Sequence, residues 1–391
     1  MKKVLYLLML ICIAVVSYRI FSDIPFFEKP PAEETVISSY AETTDFVFSY
    51  RAQLSKNESV IYDSLFKQIQ SGKTECVVYN ISRKDYEQSL KKVIEAVLGD
   101  HPEFFWLNGG AKINASYYTQ SSRSTVNVSL SCLDELSNNA VRQAYTAAVE
   151  MKIAEITEQA NAFSTDYEKA LFVHDLIIEN TDYDFSLLSE DSGGRETAYT
   201  VYGCLVEGKA VCSGYAKAYQ LILNRLGIPC LYVSGTANGQ SHGWNCIQLD
   251  GASYFVDPTW DDAQFSQENA DVFPNEAQHN YFGLTTEELN KTHAAASEFF
   301  EIPYCNSTIY NYFYQSDFVL PTYNFNSFCN IIDRQADKRI LAVRFADQTA
   351  LENAKNDLFQ KNACSKIMRF AFSQISYAVD EEHLILTFVV Q

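Results

Sequence analysis

The order of hydrophobic and polar residues predicts a chain that mixes helices with antiparallel strands. After Cys212, apolar residues recur at helical spacing, so one face of a helix is buried. Gly227 and Pro229 then supply the usual signals for a helix end. Two strands of alternating character, residues 244–249 and 252–256, flank Asp250-Gly251, a strong signal for a two-residue hairpin turn.

Similar patterns on both sides of this segment favour an α+β fold. Thr165 and Glu168 form a capping-box pattern, and the helix that they begin continues to about residue 180. Other helices are predicted at residues 59–70, 85–98, 140–162 and 349–360. Strands are predicted at residues 75–81, 124–130, 339–345 and 384–390.

These patterns divide the chain into five segments. In residues 1–22, Lys2 and Lys3 precede an apolar run, which predicts a signal peptide or an N-terminal membrane anchor. We therefore expect an extracytoplasmic protein, secreted or anchored through its N-terminus. The remaining segments are a linker at 23–35, an N-terminal α+β domain at 36–137, a central domain at 138–300 and a C-terminal α+β domain at 301–391.

Charge and cysteine content narrow the function. The net charge of −19 argues against nucleic acid as a partner, because phosphates would be repelled. The ten cysteines include no C-x-x-C pair, and the chain has no H-E-x-x-H motif or calcium loop, so we predict no metal and no cofactor. Convergence of Cys204, Cys212, His242 and Cys246 on a metal is a disfavoured alternative. Export permits disulfides, but their pairing does not follow from the sequence.

The spacing of Cys212, His242 and Asp257 predicts a catalytic triad. Cys212 opens a helix, where free N–H groups and the helix dipole favour the thiolate. His242 begins one strand of the hairpin, and Asp257 ends the other. A two-residue turn places Asp257 diagonal to His242, at a Cα separation of about 7–8 Å. One imidazole nitrogen then faces the carboxylate and the other faces the thiol.

Each residue also has a purely structural interpretation. A single cysteine at a helix start is usually a small buried hydrophobe, and a histidine beside an aromatic residue usually belongs to the core. The joint occurrence of all three residues favours catalysis over a degenerate site that only binds. His174, in contrast, lies among apolar positions of its helix and is interpreted as a core histidine.

The residues around the triad resemble a known family. The run Gly-Lys-Ala-Val-Cys-Ser-Gly-Tyr-Ala at residues 208–216 resembles the nucleophile segment of the transglutaminase-like superfamily. Residues 241–245 and 254–262 resemble its His and Asp segments. The resemblance covers residues 165–300 and is closest to bacterial exported members, which residues 95–106 also resemble. It implies a papain-like α+β core and cysteine-dependent acyl transfer or amide hydrolysis.

The expected mechanism begins with attack of Cys212 on the amide carbonyl of a glutamine side chain or a peptide. His242 carries the proton, Asp257 orients the imidazole, and the Cys212 N–H is one oxyanion donor. Tyr202 is a candidate second donor because it is near in sequence. Trp244 and Trp260 are candidates to line an acyl pocket, or simply pack the hairpin.

The expected partner is a protein or peptide substrate, including one in the cell wall or at the cell surface. Water as acceptor would make the protein a protease or amidase, and an amine acceptor would make it a transglutaminase. The alternative is a catalytically silent binding module at the cell surface. An uncleaved N-terminal signal would add contact with the membrane.

Overall fold

The computed structural model describes residues 40–41, 47–82, 86–117, 123–188, 195–263, 276–370 and 375–390. The segments predicted as a signal or anchor (1–22) and as a linker (23–35) lie outside these residues. Within the described part of the chain, no helix has the length and apolar character needed to cross a membrane.

Helices and strands alternate irregularly along the chain. The helices are α1 Lys56–Gln70, α2 Tyr86–Asp100, α3 Asn139–Ala160, α4 Asp166–Asn180, α5 Cys212–Arg225, α6 Thr286–Leu289, α7 Tyr312–Gln315, α8 Phe325–Arg334 and α9 Gln348–Lys355. The strands are β1 Tyr40–Ala41, β2 Glu75–Ser82, β3 Leu107–Tyr117, β4 Arg123–Cys132, β5 Asp182–Tyr183, β6 Lys209–Ala210, β7 Cys230–Ala237, β8 Gln240–Leu249, β9 Ala252–Val256, β10 Phe282–Leu284, β11 His293–Ala295, β12 Ile302–Pro303, β13 Val319–Leu320, β14 Ile340–Phe345, β15 Ile375–Asp380 and β16 Ile385–Val390.

Three larger sheets follow one another in sequence. The first has the order β2-β4-β3, the central one β10-β9-β8-β7-β11, and the last β13-β14-β16-β15. The central sheet is antiparallel throughout. Helix α5 packs on strands β7 and β8 of this sheet. The predicted α+β fold, with a cysteine-bearing helix on an antiparallel sheet, is therefore confirmed.

The predicted hairpin is present with the predicted register. Leu249 pairs with Ala252 and Asn245 pairs with Val256 across β8 and β9. Asp250 and Gly251 both have positive φ, 48° and 80°, as a type I′ turn requires. The two-residue turn fixes which side chains share a face, and it thereby sets the position of residue 257 relative to residue 242.

Helix α5 is anchored by its buried tyrosines. Tyr215 and Tyr219 are fully buried. The Tyr215 hydroxyl donates to the Thr181 carbonyl at 2.7 Å, and the Tyr219 hydroxyl donates to the Ala170 carbonyl at 3.1 Å. These bonds tie α5 to helix α4 and the residue that follows it, so the first residue of α5 is held in a fixed position.

The C-terminal sheet contacts the central domain through buried polar groups. Arg344 on β14 forms an ion pair with Glu288 on α6, and both side chains are largely buried. The predicted helix at 349–360 begins as α9 and continues as a π-helical turn, Asn356–Gln360. Strands β14 and β16 form as predicted, each within one residue of its predicted start.

Candidate active site

The candidate nucleophile lies where helix α5 begins. Val211, the N-cap residue, has extended backbone, and its side chain makes no cap hydrogen bond. Cys212 is the first residue of the helix and is only partly buried. Its position lets a substrate reach the thiol, and the positive end of the helix dipole favours a negative charge there.

The imidazole of His242 lies between the carboxylate of Asp257 and the thiol of Cys212. His242 Nε2 is 2.6 Å from Asp257 Oδ2, and the ring also hydrogen-bonds the Cys212 side chain. With Nε2 facing the carboxylate, Nδ1 is the nitrogen available to the thiol. Burial opposes a charge on the ring, but the charges of Asp257 and Cys212 dominate and raise the pKa of His242 to about 10. The structure thus brings the three predicted triad residues together.

Asp257 is fully buried and accepts four hydrogen bonds. Its Oδ1 accepts from the backbone N–H groups of Thr259 and Trp260, at 3.0 and 3.3 Å. Its Oδ2 accepts from His242 and, at 3.0 Å, from His293 Nε2. Burial would raise the pKa of this carboxyl, but the two histidines hold the pKa well below its usual range. The carboxylate is therefore a fixed negative charge behind His242.

His293 is a site residue that was not predicted from the sequence. This residue begins β11, which pairs with β7, and its partner across the two strands is Ala237. His293 Nδ1 is 2.8 Å from Thr292 Oγ1. Burial lowers the pKa of His293, which favours the neutral ring that donates from Nε2 to Asp257 and accepts at Nδ1. No local motif marks this residue, because only the pairing of distant strands brings it to Asp257.

Three tyrosines that were not predicted from the sequence, Tyr183, Tyr199 and Tyr232, interact with Cys212. Strands β5 and β6 pair in parallel, which aligns Tyr183 with Ala210, two residues before Cys212. The backbone N–H of Cys212 donates to the Tyr183 hydroxyl. Tyr199 and Tyr232 also interact electrostatically with Cys212. Burial, the largest cause, raises the pKa of all three phenols, so they remain neutral hydrogen-bond donors.

Tyr202 does not take the position that its closeness in sequence suggested. Its ring stacks on Tyr145 at 4.1 Å and on Phe105 at 6.2 Å between centroids. It also forms a side-chain hydrogen bond with Tyr145. The reason is the π-helical turn Gly203–Glu207, which inserts an irregular segment between Tyr202 and Cys212. The contacts of Tyr202 are therefore those of a packing residue.

The two predicted tryptophans both lie against the triad histidine. Trp244 is fully buried and its ring lies nearly parallel to that of His242, at 6.0 Å. Trp260 is partly buried and contacts His242 at 6.0 Å and His293 at 4.6 Å. Trp244 packs against the imidazole from the buried side, whereas Trp260 retains exposed surface that a substrate can contact.

A second network of histidines and carboxylates supports the loop after Asp257. His174 Nδ1 is 2.9 Å from Asp175 Oδ1, which also contacts His279 Nε2 at 2.8 Å. His174 Nε2 is 3.2 Å from Asp261 Oδ2. Burial opposes the charge on His174, but the two carboxylates raise its pKa to about 9. His174 is a buried core histidine, and it joins helix α4 to the segment that carries Asp257.

Two groups of side chains have the composition of metal sites. The ligand atoms of His174, Asp175 and His279 lie within 4.8 Å of one another, and so do those of His242, Asp257 and His293. In both groups the nitrogens lie 2.6–3.0 Å from one carboxylate oxygen. These are hydrogen-bond distances, and they fit networks that share protons.

The family comparison agrees with this site. The sequence model of the transglutaminase-like superfamily matches residues 154–258. This span contains Cys212, His242 and Asp257. Residues 154–258 are therefore similar to a transglutaminase-like domain, and the resemblance noted from the sequence is confirmed.

Individual relatives are distant. The kyphoscoliosis peptidase of Homo sapiens is 24% identical over 164 residues, which cover 39% of this chain and 24% of that protein. The Mus musculus protein of the same name is 23% identical over the same shares. This chain thus matches about a quarter of the length of these curated relatives.

Solved structures show only weak similarity. A crystal structure of a TGase is 15% identical, with a TM-score of 0.26, and covers 47% of this chain and 50% of its own. A candidate cysteine protease from Cytophaga hutchinsonii is 14% identical, with a TM-score of 0.24, and covers 39% and 63%. Such scores carry no argument, so the fold assignment rests on the family match and the observed architecture.

Proposed function

We propose that this protein is a cysteine-dependent acyl-transfer enzyme that attacks amide bonds through a thioester on Cys212. The observation that carries the proposal is the contact of one imidazole, His242, with both a thiol at a helix start and a fully buried carboxylate. This is the arrangement by which a weak nucleophile is activated.

In the acylation step, the proton of the thiol already resides on His242 Nδ1 as part of an imidazolium, and the Cys212 thiolate attacks the amide carbonyl carbon through Sγ. The C–N bond then breaks, and His242 returns the proton to the leaving amine. Asp257 stabilises the imidazolium throughout, because its carboxylate stays charged and cannot move away from its four donors.

Two donors are suited to the negative oxygen that forms during this attack. One is the backbone N–H of Cys212, and the other is the hydroxyl of Tyr183, which this N–H now contacts. An oxyanion placed between them would accept from both groups. Tyr183 therefore replaces Tyr202 as the candidate second donor.

In the second step, water or an amine attacks the thioester and releases Cys212. Water makes the protein a peptidase or amidase, and an amine makes it a transglutaminase. The distant relatives that are named peptidases favour a peptide or protein substrate. The N-terminal apolar segment supports, as part of this proposal, a location outside the cytoplasm, either secreted or at the cell surface.

The test is to trap the thioester on Cys212. We expect incubation with a pool of glutamine-containing peptides to add an acyl group to Cys212, detected by mass spectrometry after acid quenching. Addition of hydroxylamine would release hydroxamates if amines are accepted, and release of free acids alone would indicate hydrolysis.

The matched variant is Cys212→Ala, compared with Cys204→Ala, which alters a buried thiol elsewhere in the same domain. Loss of the adduct in Cys212→Ala only is the expected result. Two results together would favour the alternative, a catalytically silent binding module. The wild type would form no adduct or product, and Cys212→Ala would retain the full biological effect of the protein.

A further inference from the structure

A lysine side chain shares its surroundings with the candidate nucleophile. Lys217 follows Cys212 by five residues on helix α5 and is partly buried. Its Nζ lies 3.5 Å from the Tyr199 carbonyl oxygen and 5.5 Å from the centroid of the Tyr232 ring. Both tyrosines also interact with Cys212. The ammonium group is therefore next to the space where a substrate must approach the thiol.

Lys217 has no carboxylate partner among the described residues. No Asp or Glu oxygen of the described chain lies within 4.0 Å of its Nζ, and Cys212 is the one titratable group that acts on it. Two other partly buried lysines do have carboxylate partners: Lys92 lies 3.9 Å from Glu58, and Lys355 lies 2.7 Å from Glu352. The chain has 49 acidic and 30 basic residues, so carboxylates are plentiful, and yet none of those in the described part of the chain lies here.

The charged form of the partly buried Lys217 side chain is energetically unfavourable unless an anion binds to it. Burial lowers its pKa to about 8, so the group still carries its charge at neutral pH. A partly desolvated ammonium with one long hydrogen bond has lost water without gaining an ion pair. A ligand that brings a carboxylate would recover that loss.

We propose that Lys217 binds a carboxylate of the acyl-donor substrate, so that the enzyme prefers donors with a carboxylate close to the attacked carbonyl. This inference rests on the proposed acyl-transfer function. Five residues of α-helix separate Cys212 and Lys217 by about 7.5 Å along the axis. A peptide extends about 3.3–3.6 Å per residue, so the carboxylate belongs about two residues from the attacked bond.

Stabilisation of the Cys212 thiolate alone does not require Lys217. His242 already contacts the thiol, and Asp257 keeps this ring charged. Tyr199 and Tyr232, the other groups that flank the ammonium, are neutral phenols and cannot replace a carboxylate. Besides the Cys212 thiolate, the anion that the ammonium can bind is one that arrives with the substrate.

The test compares two alkylating probes that differ only in charge. Iodoacetyl-glycyl-glycine carries a carboxylate two residues from the reacting carbon, and iodoacetyl-glycyl-glycinamide carries a neutral amide in its place. With either probe, Cys212 Sγ forms a bond to the methylene carbon and iodide leaves. The rate ratio of the two probes cancels the intrinsic reactivity of the thiol and isolates recognition of the carboxylate.

We expect wild type to react about tenfold faster with the carboxylate probe, as one charge-assisted hydrogen bond would give. In Lys217→Met the ratio should fall to about one, whereas Lys217→Arg should keep much of it, because the charge is retained. Lys209→Met is the matched control: Lys209 precedes Cys212 by three residues and already pairs with Asp184, so removal of its charge should leave the ratio unchanged.

A ratio that is the same in wild type and Lys217→Met, with both proteins folded by circular dichroism, would overturn the inference alone. Failure of Cys212 to react with either probe would instead remove the proposed function and this inference with it. A third probe, the α-amide of iodoacetyl-glycyl-aspartate, separates the two sources of carboxylate. If its rate depends on Lys217 more than the rate of iodoacetyl-glycyl-glycine does, the recognised carboxylate is that of an acidic side chain. If its rate depends on Lys217 less, the recognised carboxylate is that of a free C-terminus.

Discussion

At the scale of single residues, the site depends on one carboxylate that serves two histidines. Asp257 Oδ2 accepts from both His242 and His293, and all three side chains are buried. Because Asp257 cannot reach water, each lost donor leaves part of a buried charge without compensation. His293 is therefore a positioning residue, which acts on the triad through Asp257.

Replacement of His293 by phenylalanine tests this role. Phenylalanine keeps a ring beside Trp260 and Trp244 but removes the donor to Asp257. We expect the free energy of unfolding to fall by about 1–3 kcal/mol, measured by urea denaturation. His293→Gln, which retains an N–H donor, should lose less. Equal stability of wild type and His293→Phe would show that the bond contributes nothing.

The proximity of Cys212, His242 and Asp257 could be predicted from the sequence because these residues lie on adjacent elements with recognisable boundaries. The start of α5 and the hairpin of β8 and β9 each have local signals, and the two-residue turn fixes which side chains meet. His293 and Tyr183 have no such signal. They reach the site through pairing of strands that are distant in sequence. Tyr202 was predicted as an oxyanion donor only because it is close to Cys212 in sequence, and such closeness is a poor guide to contact across an irregular turn.

At the scale of elements, strand β11 must approach β7 closely for His293 to reach Asp257. Residue 235 on β7 is a glycine, and a Cβ there would lie 2.2 Å from the Ala294 carbonyl oxygen and 2.7 Å from the Trp244 ring. The first of these atoms belongs to backbone and cannot rotate away. The missing side chain at position 235 is thus what allows the two strands to pair at this point.

Gly235→Ala should therefore separate β11 from β7. We expect a loss of about 1–3 kcal/mol in the free energy of unfolding, as in other overpacked interiors. The neighbouring variant Ser234→Ala, at an exposed position, should change stability by no more than about 0.5 kcal/mol. Urea denaturation of both variants measures the difference, and a stable Gly235→Ala would mean that the strands can shift without cost.

At the scale of the whole molecule, the C-terminal sheet is joined to the central domain by a buried ion pair. Arg344 on β14 contacts Glu288 on α6, and the same glutamate accepts from the backbone N–H of Thr285 at 2.9 Å. Burial would raise the pKa of Glu288, but Arg344 and these bonds lower it, so the carboxylate remains charged. His383, between β15 and β16, adds a contact to the Glu288 carbonyl at 3.2 Å.

Removal of one partner should be costly because the other charge stays buried. We expect Arg344→Met to lower the free energy of unfolding by about 3–5 kcal/mol. Arg334→Met breaks an exposed pair with Asp317 and should cost no more than about 1 kcal/mol. Urea denaturation of the two variants measures both losses. Equal losses would show that the pair of Arg344 and Glu288 is only a surface contact and not a structural connection between β14 and α6.

The central claim is that His242 and Cys212 form an activated pair, and the pH dependence of Cys212 alkylation tests it most directly. An ordinary thiol with a pKa of about 8.5 is only about 0.3% thiolate at pH 6. The pKa of His242 is raised to about 10, so its positive charge is present from pH 6 to pH 9 and is lost only above that range. The charge that favours the thiolate is therefore constant over this interval.

We expect iodoacetamide to modify Cys212 before the other eight cysteines of the described chain, with rates at pH 6 and pH 9 that differ by only a few-fold. In His242→Gln the rate at pH 6 should fall about tenfold or more, and reactivity should return as the pH rises. Mass spectrometry of the peptides resolves each site. A Cys212 that reacts no faster than the other thiols, or whose pH profile is the same in His242→Gln, would contradict the account.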